Sequence, residues 1–190
     1  MSTKIAGKSE QSKDAPNAET IEATLRSVAE EDYGDSHKSN SMEIYKLFVE
    51  MADRISTRRQ SANSFFLSVN TAIIAVVSYL ALGNEGKQAG QFHWLVSAAG
   101  MAICYMWYRL IRSYKDLNTA KFKVVHAMEK GLPLAPYDAE WEAVGSGKRP
   151  HLYLPFTRVE MRVPWVFFVL HAVVFIRVIW ALAEARLIAH

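Results

Sequence analysis

Apolar and polar positions follow two different rhythms along this chain, and the change between them sets the expected architecture. From Ile44 onward, Leu47, Phe48, Met51 and Ile55 recur at helical spacing, while Glu43, Lys46, Glu50, Asp53 and Arg54 take the other face. This period predicts an amphipathic helix over 41–62, with Asn40 and Glu43 fitting a capping-box start. Elsewhere the apolar positions run on without alternation. The stretches 63–83, 92–111 and 163–183 are nearly free of charge for about the 20 residues that a helix needs to cross a bilayer core. The polar stretch 84–91 turns the chain between the first two. Tyr79, Trp94, Tyr105, Trp107 and Tyr108 lie near the proposed ends, where amphipathic rings favour the headgroup level.

Helical spacing continues past the second span. Tyr114, Leu117, Lys121, Val124, Val125 and Met128 keep a period between three and four, and neither Pro nor Gly interrupts before Gly131, a C-cap candidate ahead of Pro133. One helix of about 38 residues, roughly 57 Å long, is expected from the second span into the 112–162 region. Its apolar stripe needs a partner, either the helix from Ser41 or a neighbouring subunit. Within 132–156, "YDAEWEAV" reads as a short helix capped by Asp138, "GSGKRP" as a turn and "HLYLPF" as extended chain. Thr157 and Glu160 form a T-x-x-E box opening the last helix, and Pro164 is expected to bend it. Residues 1–40 have no Phe or Trp and carry the acidic cluster Glu30, Glu31, Asp32 and Asp35. Such a segment buries too little apolar surface to offset its ordering entropy. It reads as a mostly disordered tail, within which "AETIEATLRSVAEE" could form a helix when docked.

Charge adds an orientation. Arg54, Arg58 and Arg59 precede the first span, and Arg109, Arg112 and Lys115 follow the second, whereas the loop between them holds Lys87 opposed by Glu85. The positive-inside rule puts 1–62 and 112–162 in the cytoplasm, so that 184–190 lies outside; Arg158 and Arg162 agree and Arg186 does not. Met1 to Asn40 has no apolar core of the signal-peptide kind, so insertion is expected to rely on the internal helices. A net charge of +3 is too small to argue for nucleic acid. The single cysteine, Cys104, builds neither a disulfide framework nor a zinc site, and no cofactor or small-molecule ligand is indicated.

The polar residues inside the spans are the candidates for function. Arg177 lies about 21 Å into the third span, where it either snorkels to the headgroups or meets Glu184, a carbonyl or water beside a neighbouring subunit. His171 projects from another face and is expected to be hydrogen-bonded, and Asn70 needs a partner at membrane depth. Ser64, Ser68, Thr71, Ala75 and Ser78 form one small-residue stripe, and Ser97, Gly100 and Cys104 a second; both suit close helix packing. Tyr114, Leu117, Val124 and Met128 are candidate contacts between subunits. No phosphate loop, H-E-x-x-H or serine elbow occurs, so catalysis is not expected. It would require His126, Asp138, Glu140 and His151 to converge.

Three stretches, "YKLFVEMADRISTRRQSANSFFLSVNTAIIAV", "YRLIRSYKDLNTAKFKVVHAMEKGLPLAPYDAEWEAV" and "YLPFTRVEMRVPWVFFVLHAV", together resemble the RipA family of octameric small integral membrane proteins, over roughly 42–180. The resemblance implies a bacterial inner-membrane homo-oligomer of eight subunits in contact with membrane lipids, and it carries no catalytic residues across. The expected fold is an all-α integral membrane protein with three transmembrane helices and a long cytoplasmic helical extension, oligomeric. Its expected role is a scaffold or envelope-associated protein; the alternative is an oligomeric pore whose polar span residues face a water-filled lumen.

Overall fold

The computed structural model describes residues 18–82, 86–148 and 159–188, which are helix joined by turns and irregular chain with no strand among them. Among the described residues the helices run in the order α1 (Ala18–Leu25), α2 (Glu30–Tyr33), α3 (His37–Leu82), α4 (Gly86–Glu129), α5 (Pro136–Ala143) and α6 (Val163–Ile188). Three of them, α3, α4 and α6, are long and apolar enough to cross a membrane.

The amphipathic helix and the first span are one element. No Gly or Pro occurs between His37 and Leu82, so nothing ends the hydrogen-bond ladder as the surface changes from polar to apolar. At 46 residues, α3 extends roughly 69 Å. It starts at His37, ahead of the predicted capping box; Asn40 instead donates from Nδ2 to the Tyr33 hydroxyl at 3.0 Å. α4 likewise begins earlier than expected, so that 86–91 is helix where a loop was predicted. It runs 44 residues to Glu129. Gly131 closes it with an N–H bond to the Met128 carbonyl at 3.0 Å, a tight-turn ending without the left-handed conformation expected of that glycine.

α3 and α6 each pack along α4, which is therefore the central helix. Ser97, Gly100, Cys104, Trp107 and Ile111 are buried on α4 at spacings of three and four. On α3 the inward seam passes through Tyr45, Phe48, Ala52, Ile55, Arg59, Asn63, Phe66, Asn70, Ile73 and Val77, all buried or half-buried. One unbroken period thus serves both the polar and the apolar half of the helix. Aromatic contacts tie the three helices together: Phe66 stacks on Trp107 at 5.9 Å and 9°, and Trp107 meets Phe167 at 6.1 Å.

Two expectations about the flanks change. Part of the segment read as a disordered tail is folded: α1 packs on α4, and Lys130 pairs with Glu22. Residues 1–17 lie outside the described residues. Pro164 is the second residue of α6, a first-turn position where its missing N–H has no helical acceptor to lose, so it starts the helix instead of bending it. Thr157 and Arg158 of the predicted capping box, and the stretch "HLYLPF", lie outside the described residues.

Candidate functional site

Each polar residue on the α3 seam reaches a partner on another helix. The deepest is Asn70, which is fully buried. Its Nδ2 donates to the Phe66 carbonyl one turn back at 2.8 Å, leaving Oδ1 facing α4 and α6. That oxygen accepts from Cys104 Sγ at 3.1 Å and lies 3.2 Å from His171 Nε2. A carbonyl oxygen accepts only, so Nε2 is the protonated ring nitrogen here. The His171 imidazole lies against Gly100, where an added Cβ would come within 2.6 Å of the ring. Glycine is needed there for close approach. Three helices therefore meet in one hydrogen-bonded knot, in an apolar layer where an unpaired polar group costs several kcal/mol. Ser97, one turn from Gly100, is also buried, and its hydroxyl has no hydrogen-bond partner among the described residues.

Nearer the polar half, Asn63 Oδ1 accepts from Trp107 Nε1 at 2.8 Å. One turn further, Arg59 Nε faces Glu160 Oε2 at 3.4 Å, with side chains 17% and 9% exposed. These contacts floor a groove of about 470 Å³ between α3 and the start of α6, lined by residues from Asp53 to Leu67 together with Trp107, Glu160 and Val163. The T-x-x-E pattern predicts Glu160 as a helix cap at the interface; it is instead the buried acid of an ion pair.

At the far polar end, Glu129 is 2% exposed and joins three helices. Its Oε1 accepts from the Tyr45 hydroxyl at 2.9 Å and the Tyr137 N–H at 3.0 Å, and its Oε2 accepts from the Asp138 N–H at 3.0 Å. The cap of α5 is thus Glu129 from a different helix, where Asp138 had been expected; Asp138 lies in the first turn of α5 and contacts His126 at 3.1 Å. A carboxylate is favourable there because the N-terminal amides of a helix are unpaired and carry partial positive charge. Burial, with the Glu129 hydrogen bond and charge second, pushes the Tyr45 phenol from 10.0 up to about 12. Because the folded chain holds that proton longer than the unfolded one, the contribution is complete below pH 10.0 and lost as pH rises toward about 12. Thermal melts of wild type and Tyr45→Phe between pH 9 and 12 should show the steeper alkaline decline in wild type; parallel declines would exclude this linkage.

The remaining candidates are not drawn together. Arg177 is exposed and has no ion pair among the described residues, while Glu184 accepts from Trp180 Nε1 at 2.6 Å. An Arg177–Glu184 pair within one chain does not form. Ser64, Ser68, Thr71, Ala75 and Ser78 are all exposed, so that stripe is not buried against another element among the described residues, unlike Ser97, Gly100 and Cys104. Leu117 is 49% exposed, and Tyr114, Val124 and Met128 are half-buried. His126 and Asp138 meet, Glu140 is exposed, and His151 lies outside the described residues. No cluster of three or more metal-ligating side chains occurs among the described residues. Sequence reasoning missed Glu129 altogether. The available signal was an acidic residue at the polar end of a long helix, seven positions before Pro136 at N1 of the next.

Three apolar helices long enough to cross a bilayer, cross-linked by side-chain hydrogen bonds within the apolar layer, define a multi-span helical membrane protein. The sequence matches the profile of the octameric membrane protein family (8xMP) over residues 42–180, and the chain belongs to that family. Comparison with curated proteins and with solved structures gives no match to either.

Proposed function

We propose that the chain is a non-catalytic subunit of a homo-octamer in the bacterial inner membrane, acting as a scaffold or envelope-associated assembly. The observation that supports this most is the apolar surface left bare outside the spans. Ile44, Leu47 and Met51 are 53%, 56% and 41% exposed along one face of the polar half of α3. The charged Glu43, Lys46, Glu50 and Arg54 around this face favour water over lipid there, and exposed apolar area in water costs about 25 cal/mol per Å². A second copy covers it, and Leu117 on α4 extends the same kind of surface. The unpartnered Ser64–Ser78 stripe suits close helix approach within the bilayer. The arginines preceding the first span and following the second orient the polar half toward the cytoplasm, with the C-terminus outside. The RipA resemblance supplies the bacterial inner-membrane setting.

Leu47→Asp is expected to shift the detergent-solubilised particle from octamer to smaller species in native mass spectrometry, and Leu117→Asp to do so more weakly. An intact octamer with Leu47→Asp would remove the proposed contact. A second reading, a pore, draws on exposed Arg177 deep in α6. Ion flux through liposome-embedded oligomers that changes with Arg177→Ala would favour it over the scaffold.

A further inference from the structure

The groove between α3 and the start of α6 has a gradient along its length. Its lining on α3 begins with Asp53 and Gln60 and ends at Leu67, joined there by Trp107 and Val163. From Asp53 to Leu67 is about 21 Å of helix, in the direction in which α3 passes from polar to apolar. Exposed Arg58, Arg109 and Arg162 are sequence neighbours of the lining residues and mark the same level as the headgroup layer. At about 470 Å³, the groove falls within the range of roughly 300–1,000 Å³ typical of ligand sites.

Charge narrows the occupant. Arg59 and Glu160 face each other and offset one another. Asp53 has no ion pair among the described residues, leaving an unanswered carboxylate at the polar mouth. Asn63 lines the groove and uses Oδ1 to accept from Trp107, which keeps its NH₂ for a further acceptor, and Gln60 adds a second amide. A ligand that fits has an ammonium with N–H donors for Asp53, an anionic phosphate for the amides, and an apolar tail for Leu67, Trp107 and Val163. We propose that this groove binds one aminophospholipid of the phosphatidylethanolamine class per subunit. A choline headgroup lacks the N–H donors, and a glycerol headgroup brings a negative charge with no ammonium to meet Asp53. The groove is lined by residues of a single copy of the chain, and the proposal requires that a neighbouring copy leave it open.

The test uses the full chain, purified and delipidated in detergent, melted with added phosphatidylethanolamine, phosphatidylcholine or phosphatidylglycerol. A ligand bound only by the folded state raises the melting temperature. Phosphatidylethanolamine should give the largest rise. Asp53→Asn should abolish its advantage over phosphatidylcholine, and Ser64→Trp, which fills the groove, should reduce stabilisation by all three. Native mass spectrometry of the same samples counts retained lipid, so a variant that melts too low is still informative. Equal stabilisation of wild type by the three lipids would overturn the proposal, as would an ethanolamine preference surviving in Asp53→Asn. A disulfide between copies formed through Gln60→Cys would also overturn it, by placing a neighbouring subunit in the groove.

Discussion

Replacing Gly100 with leucine is expected to loosen α6 from α4 at a cost of about 3 kcal/mol, the largest effect of any single change in the spans. The leucine Cβ alone would lie 2.6 Å from Cε1 and Nδ1 of His171 and 2.7 Å from Nε2. A surface side chain would swing aside, but His171 is only 3% exposed and is held by Asn70. Moving it breaks that hydrogen bond and opens α6 along its length. Overpacking contributes about 1–3 kcal/mol and the lost bond about 1 kcal/mol. Unfolding titrations in mixed micelles measure this, with Ala99→Leu on the exposed side of the same turn as the control. Gly100→Ala combined with His171→Ala should recover part of the loss, because the ring that the methyl meets is gone. A Gly100→Leu midpoint equal to that of the control would refute the close-approach argument.

Glu129→Ala should act at the other end of the molecule, costing about 3–4 kcal/mol and releasing α5. The substitution removes the acceptor for Tyr45 and for two backbone amides of α5 together. Hydrogen bonds to a charged group are worth more than neutral ones, and a buried donor left alone pays its full desolvation. Hydrogen exchange reads this locally, since the Tyr137 and Asp138 amides should lose protection while the amides of the α6 core keep theirs. Glu129→Gln retains an acceptor and should fall between the two. If both amides stay protected in Glu129→Ala, α5 is capped by something other than this carboxylate.

Apolar periodicity carried the all-helical class and the three long apolar helices, because a run of about 20 uncharged residues has few alternatives as a fold element. It also picked out Asn70, His171 and the Ser97–Gly100–Cys104 stripe as separate features. Their meeting was not readable: Asn70 and His171 are 101 positions apart, and no local pattern says which faces of three helices converge. The continuity of α3 was readable in principle, since neither Gly nor Pro falls within it, but the change in surface polarity at Ser61–Ser64 imitated a boundary. Local rules failed most clearly at caps. The Asn40 box, Asp138 and the Pro164 bend were inferred from neighbours in sequence, whereas α5 is capped by a side chain from another helix. The Arg59–Glu160 pair escaped for the same reason, each partner having a plausible local role of its own.

The uninterrupted run of α4 to Glu129 makes it a long arm. From Arg109 to Glu129 the helix projects about 30 Å without a hinge, so a change in tilt of about 5° swings its tip by about 3 Å. Helices answer a thinner or thicker bilayer by changing tilt. α1 and α5 ride on that tip, so any change in the tilt of α4 would carry them sideways, as a lever turns rotation at its fulcrum into travel at its arm.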